Sequence, residues 1–201
     1  MKVVVATRNR HKVREIGALL EEAGLGFETV PIDEIAAAVE LVEDEETFEG
    51  NAAAKARQAA AACGLPALAD DSGIEVDALG GAPGVRSARW AGEPCDDGRN
   101  NQKMLAEMAG VPPGQRTARY RCAAVFVDGR GLEIVRSGAC EGVLLDAPRG
   151  GGGFGYDPLF LVPSLGLTMA EIDLATKNRL SHRAAAFHAL AQALRELGSQ
   201  K

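Results

Sequence analysis

The chain has 201 residues, with 22 Lys plus Arg against 28 Asp plus Glu and a formal net charge of −6. Hydrophobic residues at 46% and charged residues at 25% are ordinary globular usage, which excludes wholesale disorder, collagen and coiled coil. A net acid lacks the cationic surface that neutralises duplex-DNA phosphates, so such DNA is not an expected partner, although a local basic cluster can still hold one small anion.

Residues 2–6 are a β-branched run and predict a buried strand. After polar residues 7–10, Val13, Ile16, Leu19, Leu20 and Ala23 recur at helical spacing, and Gly24 ends the helix. Residues 27–32 predict a second strand. Strand, helix and strand within about thirty residues form a βαβ unit and favour an α/β class.

Residues 40–49 are strongly acidic. Residues 51–63 are Ala-rich and predict a helix closed by Gly64. Residues 66–69 are a short apolar run that ends on Asp70-Asp71-Ser72-Gly73. The Gly- and Pro-rich stretch 79–89 predicts a loop, and 100–109 a helix carrying Met104, Leu105 and Met108. Residues 117–127 and 132–145 flank Asp128-Gly129-Arg130-Gly131 and predict a long hairpin, so the sheet is expected to be mixed. Four glycines at 150–153 precede Phe154, and the C-terminus returns to helix. There Ser181 is the expected N-cap and Phe187, Leu190, Ala191, Leu194 and Leu197 form the apolar stripe.

Uncharged stretches at 59–69 and 158–170 are too short to cross a bilayer, and Arg8, Arg10 and Lys12 follow residues 3–6 too closely for a secretion signal. Cys63, Cys95, Cys122 and Cys140 form no CxxC pair and have no nearby His, which predicts free thiols in a cytoplasmic protein.

Several clusters can carry chemistry. Thr7, Asn9 and Lys12 sit where a strand ends and a helix begins, a natural phosphate seat; ordinary polar capping is the alternative. Asp70 and Asp71 are adjacent carboxylates that repel unless a cation or proton compensates. Mg²⁺ suits them, and one could activate a water; an Asx turn into Gly73 is the alternative. Lys55 lies one helical turn after Asn51 and reaches phosphate or, more ordinarily, solvent. Gly150-x-Gly152-x-x-Gly155 matches the dinucleotide fingerprint in letters only, because Tyr156-Asp157-Pro158 follows where a helix should begin. Phe154 can stack on a base or anchor the core. Lys177, His182 and Arg183 form a donor-rich group suited to carbonyl oxygens of a base.

In order along the chain stand VVVATRNRHK at 3–12, TFEGNAAAKA at 47–56, ADDSG at 69–73, LGGAPGVRSARW at 79–90, GGFGYDPLF at 152–160 and SHR at 181–183. With these six pieces the chain resembles the inosine/xanthosine triphosphate pyrophosphatases. The resemblance implies one two-lobed α/β domain over residues 1–201, built on a long mixed sheet with flanking helices, with the active site in the cleft between the lobes and a homodimeric assembly. It implies Mg²⁺-dependent hydrolysis of ITP, dITP and XTP to the monophosphate and pyrophosphate, keeping deaminated purines out of DNA and RNA.

By motif, the resemblance assigns Thr7, Arg8, Asn9, Arg10, His11 and Lys12 to the phosphate chain, with help from Lys55. It makes Asp71 the general base and a metal ligand and places Ser72 against substrate. Phe154, Gly155, Tyr156, Asp157, Lys177, His182 and Arg183 become the base pocket. The family often reads Glu-Thr-Gly before Thr-Phe, where this chain has Glu43-Asp44-Glu45-Glu46, and Glu43 is taken as the second metal-linked carboxylate. The family often has Glu where this chain has Gly50. Donors in the base pocket favour a 6-keto purine over adenine, which leaves them unpaired. The alternatives are a related pyrophosphatase for other modified nucleotides and a non-catalytic nucleotide sensor.

Overall fold

The computed structural model describes residues 1–198. Among these residues seven strands form one mixed sheet in the order β2-β1-β3-β4-β5-β6-β7. They are β1 (Lys2–Val5), β2 (Glu28–Pro31), β3 (Ala67–Val76), β4 (Thr117–Val127), β5 (Glu133–Leu144), β6 (Phe160–Val162) and β7 (Leu167–Thr168). The helices are α1 (Arg10–Glu22), α2 (Ile32–Ile35), α3 (Phe48–Cys63), α4 (Asp97–Glu107), α5 (Leu174–Leu180) and α6 (His182–Gly198). Among the described residues no helix is long and apolar enough to cross a membrane.

The chain divides into two compact units. The first comprises Met1–Asp71, Cys122–Gly138 and the described chain from His182 onward. Here β1 lies between two parallel neighbours, β2 and β3. Val3, Val4 and Val5 are all fully buried, the expected state of a parallel strand covered on both faces. Ile16 and Leu19 of α1 pack with Phe187 and Leu190 of α6 and with Phe126 of β4. Each such side chain contributes about 1.5–3 kcal/mol on leaving water. Gly138 of β5 lies so close to α6 that a Cβ would stand 2.4 Å from the His182 carbonyl oxygen and 2.5 Å from the Ala186 nitrogen.

The second unit comprises Ser72–Arg121 and Ala139–Ser181. Strands β5, β6 and β7 are successive antiparallel neighbours. Its core gathers Ile74, Val76, Met104, Tyr120, Leu159, Phe160 and Met169. The Tyr120 and Phe160 rings pack at 4.5 Å.

The predicted βαβ start, the Ala-rich helix and the long hairpin are present. The structure departs from the sequence reading at Asp70-Asp71-Ser72-Gly73. This segment is neither the end of a strand nor a turn, because β3 runs straight through it and continues to Val76. The predicted loop 79–89 contains a 3₁₀ turn over Gly84–Arg89. Before the last helix stands a further one, α5, and Ser181 closes it by donating its N–H to the Lys177 carbonyl.

Candidate active site

The first unit builds a charged cluster where α1, α3, β3, α6 and Glu43, ahead of α3, supply side chains. Asn9 caps α1: its Oδ1 accepts from the His11 and Lys12 N–H groups at 2.9 and 3.3 Å. Thr7 Oγ1 accepts from the Asn9 N–H at 3.2 Å. The helix N-terminus expected to offer bare N–H groups is thus partly satisfied by its own side chains. Its neighbours are also engaged. Arg8 donates to the carbonyls of Ala37 and Val39, Arg10 pairs with Asp33, and His11 Nδ1 meets Arg14.

Lys12 reaches across to β3, where its Nζ lies 3.1 Å from Asp70 Oδ2. Lys55 is the clearest correction to the sequence reading. It does not reach for solvent: its side chain is 4% exposed. Its Nζ stands 2.6 Å from Glu43 Oε1 and 3.5 Å from Asp71 Oδ1, and it donates to the Asp70 carbonyl at 2.7 Å. Burial opposes the Lys55 ammonium, but Asp71, Glu43 and Asp70 outweigh it and hold its pKa above the ordinary lysine value.

Asp71 is buried too. Burial pushes its carboxyl above the ordinary carboxylate range, against the pull of Lys55, Lys12 and a hydrogen bond from Asn51. A carboxylate poised this way accepts a proton more readily than an exposed one. Among the described residues no group of three His, Cys, Asp or Glu is ready to hold a metal. The pair Glu43 and Asp71 nonetheless converges on one ammonium. Two hard carboxylates of this kind suit a hard cation such as Mg²⁺.

Asp70 is a hub. Its Oδ2 accepts from Arg183 Nε and Nη2 at 3.1 and 3.0 Å, and a further Arg183 nitrogen pairs with Glu15. Arg183 is 2% exposed and His182 7%. The sequence reading placed both against a base; the structure gives Arg183 carboxylate partners, which hold its pKa up against burial.

The second unit holds the aromatic cluster. Asp157 is its centre: Oδ2 accepts from the Phe154 N–H at 3.0 Å and from Lys177 Nζ at 2.8 Å, and Tyr120 donates to Oδ1 at 3.2 Å. Burial and the Asp157 charge raise the Tyr120 pKa well above its usual value, so the phenol stays a donor. Lys177 Nζ stands 5.3 Å from the Phe154 ring centroid, within cation–π range. Tyr156 donates to the Ser87 carbonyl at 2.8 Å, and Asp97 accepts from the Gly155 N–H at 2.7 Å. Gly153, at φ +71°, leaves no room for a side chain: a Cβ would meet Asp157 Oδ2 at 2.1 Å. Ser72 is half-buried on β3, directly after Asp71.

The sequence reading missed Asn51, Glu15 and Tyr120. The signal for Asn51 was present, a polar residue inside an Ala-rich helix one turn before Lys55. Glu15 carried one as well, a carboxylate beside Ile16 on the buried stripe of α1.

Comparison with known proteins shows the family. The Ham1 family model matches residues 3–193. The chain is 52% identical over 182 residues to a dITP/XTP pyrophosphatase of Geobacter sulfurreducens, covering 90% of each chain. It is 49% identical over 197 residues to one of Desulforamulus reducens, covering 98% of this chain and 97% of the other. Among solved structures, a HAM1 protein from Coxiella burnetii superposes with TM-score 0.86 at 38% identity, covering 98% of this chain and 99% of that one. With matches of this length and identity, the chain belongs to the Ham1 family.

Proposed function

We propose that this protein is a nucleoside-triphosphate pyrophosphatase that converts ITP, dITP and XTP to the monophosphate and pyrophosphate. The observation that carries the reading is Asp71, buried between Lys55 and Asn51 and pushed toward basicity. The activity named for the relatives in Geobacter and Desulforamulus supports it.

In this reading Lys12 and Lys55 neutralise the phosphate chain, and Thr7, Arg8, Asn9, Arg10 and His11 line the turn that receives it. Asn9 spends its carbonyl oxygen on α1, which leaves amide donors for phosphate. Asp71 takes a proton from the attacking water as an oxygen–phosphorus bond forms and the α–β anhydride bond breaks. Ser72 contacts substrate. Glu43 and Asp71 would hold Mg²⁺, which when bound supplies charge neutralisation at the phosphates. Positioned cations provide most of the rate in such chemistry.

Phe154 stacks on the base, while Gly155, Tyr156 and Asp157 shape its surroundings. Lys177 supplies a donor that suits a 6-keto purine better than adenine, while Arg183, held by Asp70 and Glu15, fixes the start of α6 in the first unit. The protein works as a cytoplasmic homodimer, which sedimentation tests.

The deciding experiment is pyrophosphate release from ITP, XTP, GTP and ATP, with Mg²⁺ and with EDTA, beside Asp71→Asn. Turnover of ITP and XTP that is lost in the variant is expected. Tight ITP binding with no turnover would replace the reading with a nucleotide sensor.

A further inference from the structure

Asn51 has no solvent-exposed surface, lies in the interior of α3 and makes two side-chain contacts of opposite sense. Its Nδ2 donates to Asp71 Oδ2 at 3.1 Å, and its Oδ1 accepts from the Glu45 N–H at 3.0 Å. A backbone N–H can only donate and an ionised carboxylate can only accept, so the two partners fix which end of the amide faces which. One turn further on, Lys55 repeats the pattern with charge, touching Glu43 on one side and Asp71 on the other. Residues four apart share a helix face, so the two contacts are stacked rungs.

Gly50 adds an independent observation. A Cβ there would stand 2.9 Å from Glu45 Cβ and 3.0 Å from Thr47 Oγ1. Its φ is not positive, so what glycine provides is room for the acidic segment to lie on the first turn of α3. Glu45 is therefore held from both sides, by the Asn51 amide and by the space at Gly50.

We infer that Asn51 is a positioning residue that, with the gap at Gly50, locks the 43–45 segment to Asp71 and so sets the spacing of the Glu43–Asp71 carboxylate pair. This rests on the pyrophosphatase reading, in which that pair serves the reaction. A planar amide is required because one terminus must donate and accept together. Aspartate keeps the acceptor and loses the donor; alanine loses both.

The test uses the full-length protein with Asn51→Asp, Asn51→Ala and Gly50→Ala. Exchange of the Glu45 amide, read by NMR, reports the lock without any turnover. Protection is expected in the wild type and in Asn51→Asp, and lost in Asn51→Ala and Gly50→Ala. For ITP hydrolysis, kcat is expected to fall about 10- to 100-fold in both Asn51 variants, the usual cost of losing a partner that orients a ligand carboxylate. KM is expected to change less than kcat, and half-maximal activity to need more Mg²⁺. A merely structural Asn51 would lower the melting temperature while kcat of the folded protein and the Mg²⁺ requirement stayed at wild-type values; that result overturns the inference. An unprotected Glu45 amide in the wild type overturns it as well. Absence of wild-type hydrolysis with Glu45 protected would instead overturn the pyrophosphatase reading and leave the lock standing.

Discussion

Asp70 and Arg183 lie 113 residues apart in sequence, yet one carboxylate oxygen of Asp70 accepts two guanidinium hydrogen bonds, at 3.1 and 3.0 Å. The Asp70 side chain has no exposed surface and that of Arg183 is 3% exposed. Breaking such a buried pair leaves a charge without its partner, at a cost of about 3–5 kcal/mol. Arg183→Ala is therefore expected to lower unfolding free energy by about that amount, because Glu15 and Asp70 both lose it. Urea unfolding measures this. Its effect on the preference for ITP over ATP must be read at denaturant-free concentrations where the variant is folded.

The state of Asp71 sets a pH dependence of stability in the metal-free protein. Burial raises its folded pKa above the unfolded value, so its contribution to stability is full below the ordinary carboxylate range. That contribution is lost as pH rises through the raised folded pKa. Asp71→Asn is expected to remove this limb and to melt no lower than wild type at neutral pH, while losing turnover. Melting temperature against pH in EDTA, for both proteins, checks the sign.

Gly153 predicts a change in the cluster around Asp157, proposed above to bind the base. Its φ of +71° and the 2.1 Å approach of a Cβ to Asp157 Oδ2 mean that Gly153→Ala must displace Asp157. Asp157 holds the Phe154 N–H and Lys177, so the Phe154 ring and the Lys177 ammonium move together. A raised KM for ITP, a smaller change in kcat and a narrower gap to ATP are expected from parallel steady-state assays.

The cysteines test the packing. Cys95 is exposed, Cys63 half-buried, and Cys122 and Cys140 buried. Burial and the nearby Glu141 charge push Cys140 up to about 11, which leaves little thiolate at neutral pH. Alkylation of the native protein, followed by mass spectrometry, is expected to modify Cys95 first. Cys122 and Cys140 should react only after denaturation.

Much of this was legible in the sequence where the signal is local. Val3–Val5 spell a buried strand, and Ile16, Leu19 and Leu20 spell one helix face, because apolar periodicity depends only on neighbours in the chain. Asp70-Asp71-Ser72-Gly73 was not legible as strand, since Asp and Gly are poor strand residues. What keeps them in β3 comes from elsewhere: Lys55 from α3, Lys12 from α1 and Arg183 from α6. Lys55 failed for the same reason. Its burial is decided by three oxygen partners that no window of sequence contains. The roles of the site residues came from the order of six motifs rather than from any one of them, because each motif alone is compatible with capping, turns or solvent exposure.

Gly138 carries no chemistry, and a search for reactive side chains passes over it. Yet the strand backbone there touches the first turn of α6, where His182 and Arg183 begin. Any side chain at 138 acts as a wedge under that turn, so the smallest substitution, alanine, would tilt the two donors without altering either. In a deep mutational scan, position 138 should thus be as intolerant as the charged cluster itself. Its intolerance would trace to a distance between two backbones, and a compensating change would have to be sought in α6 rather than among the ligands of the substrate.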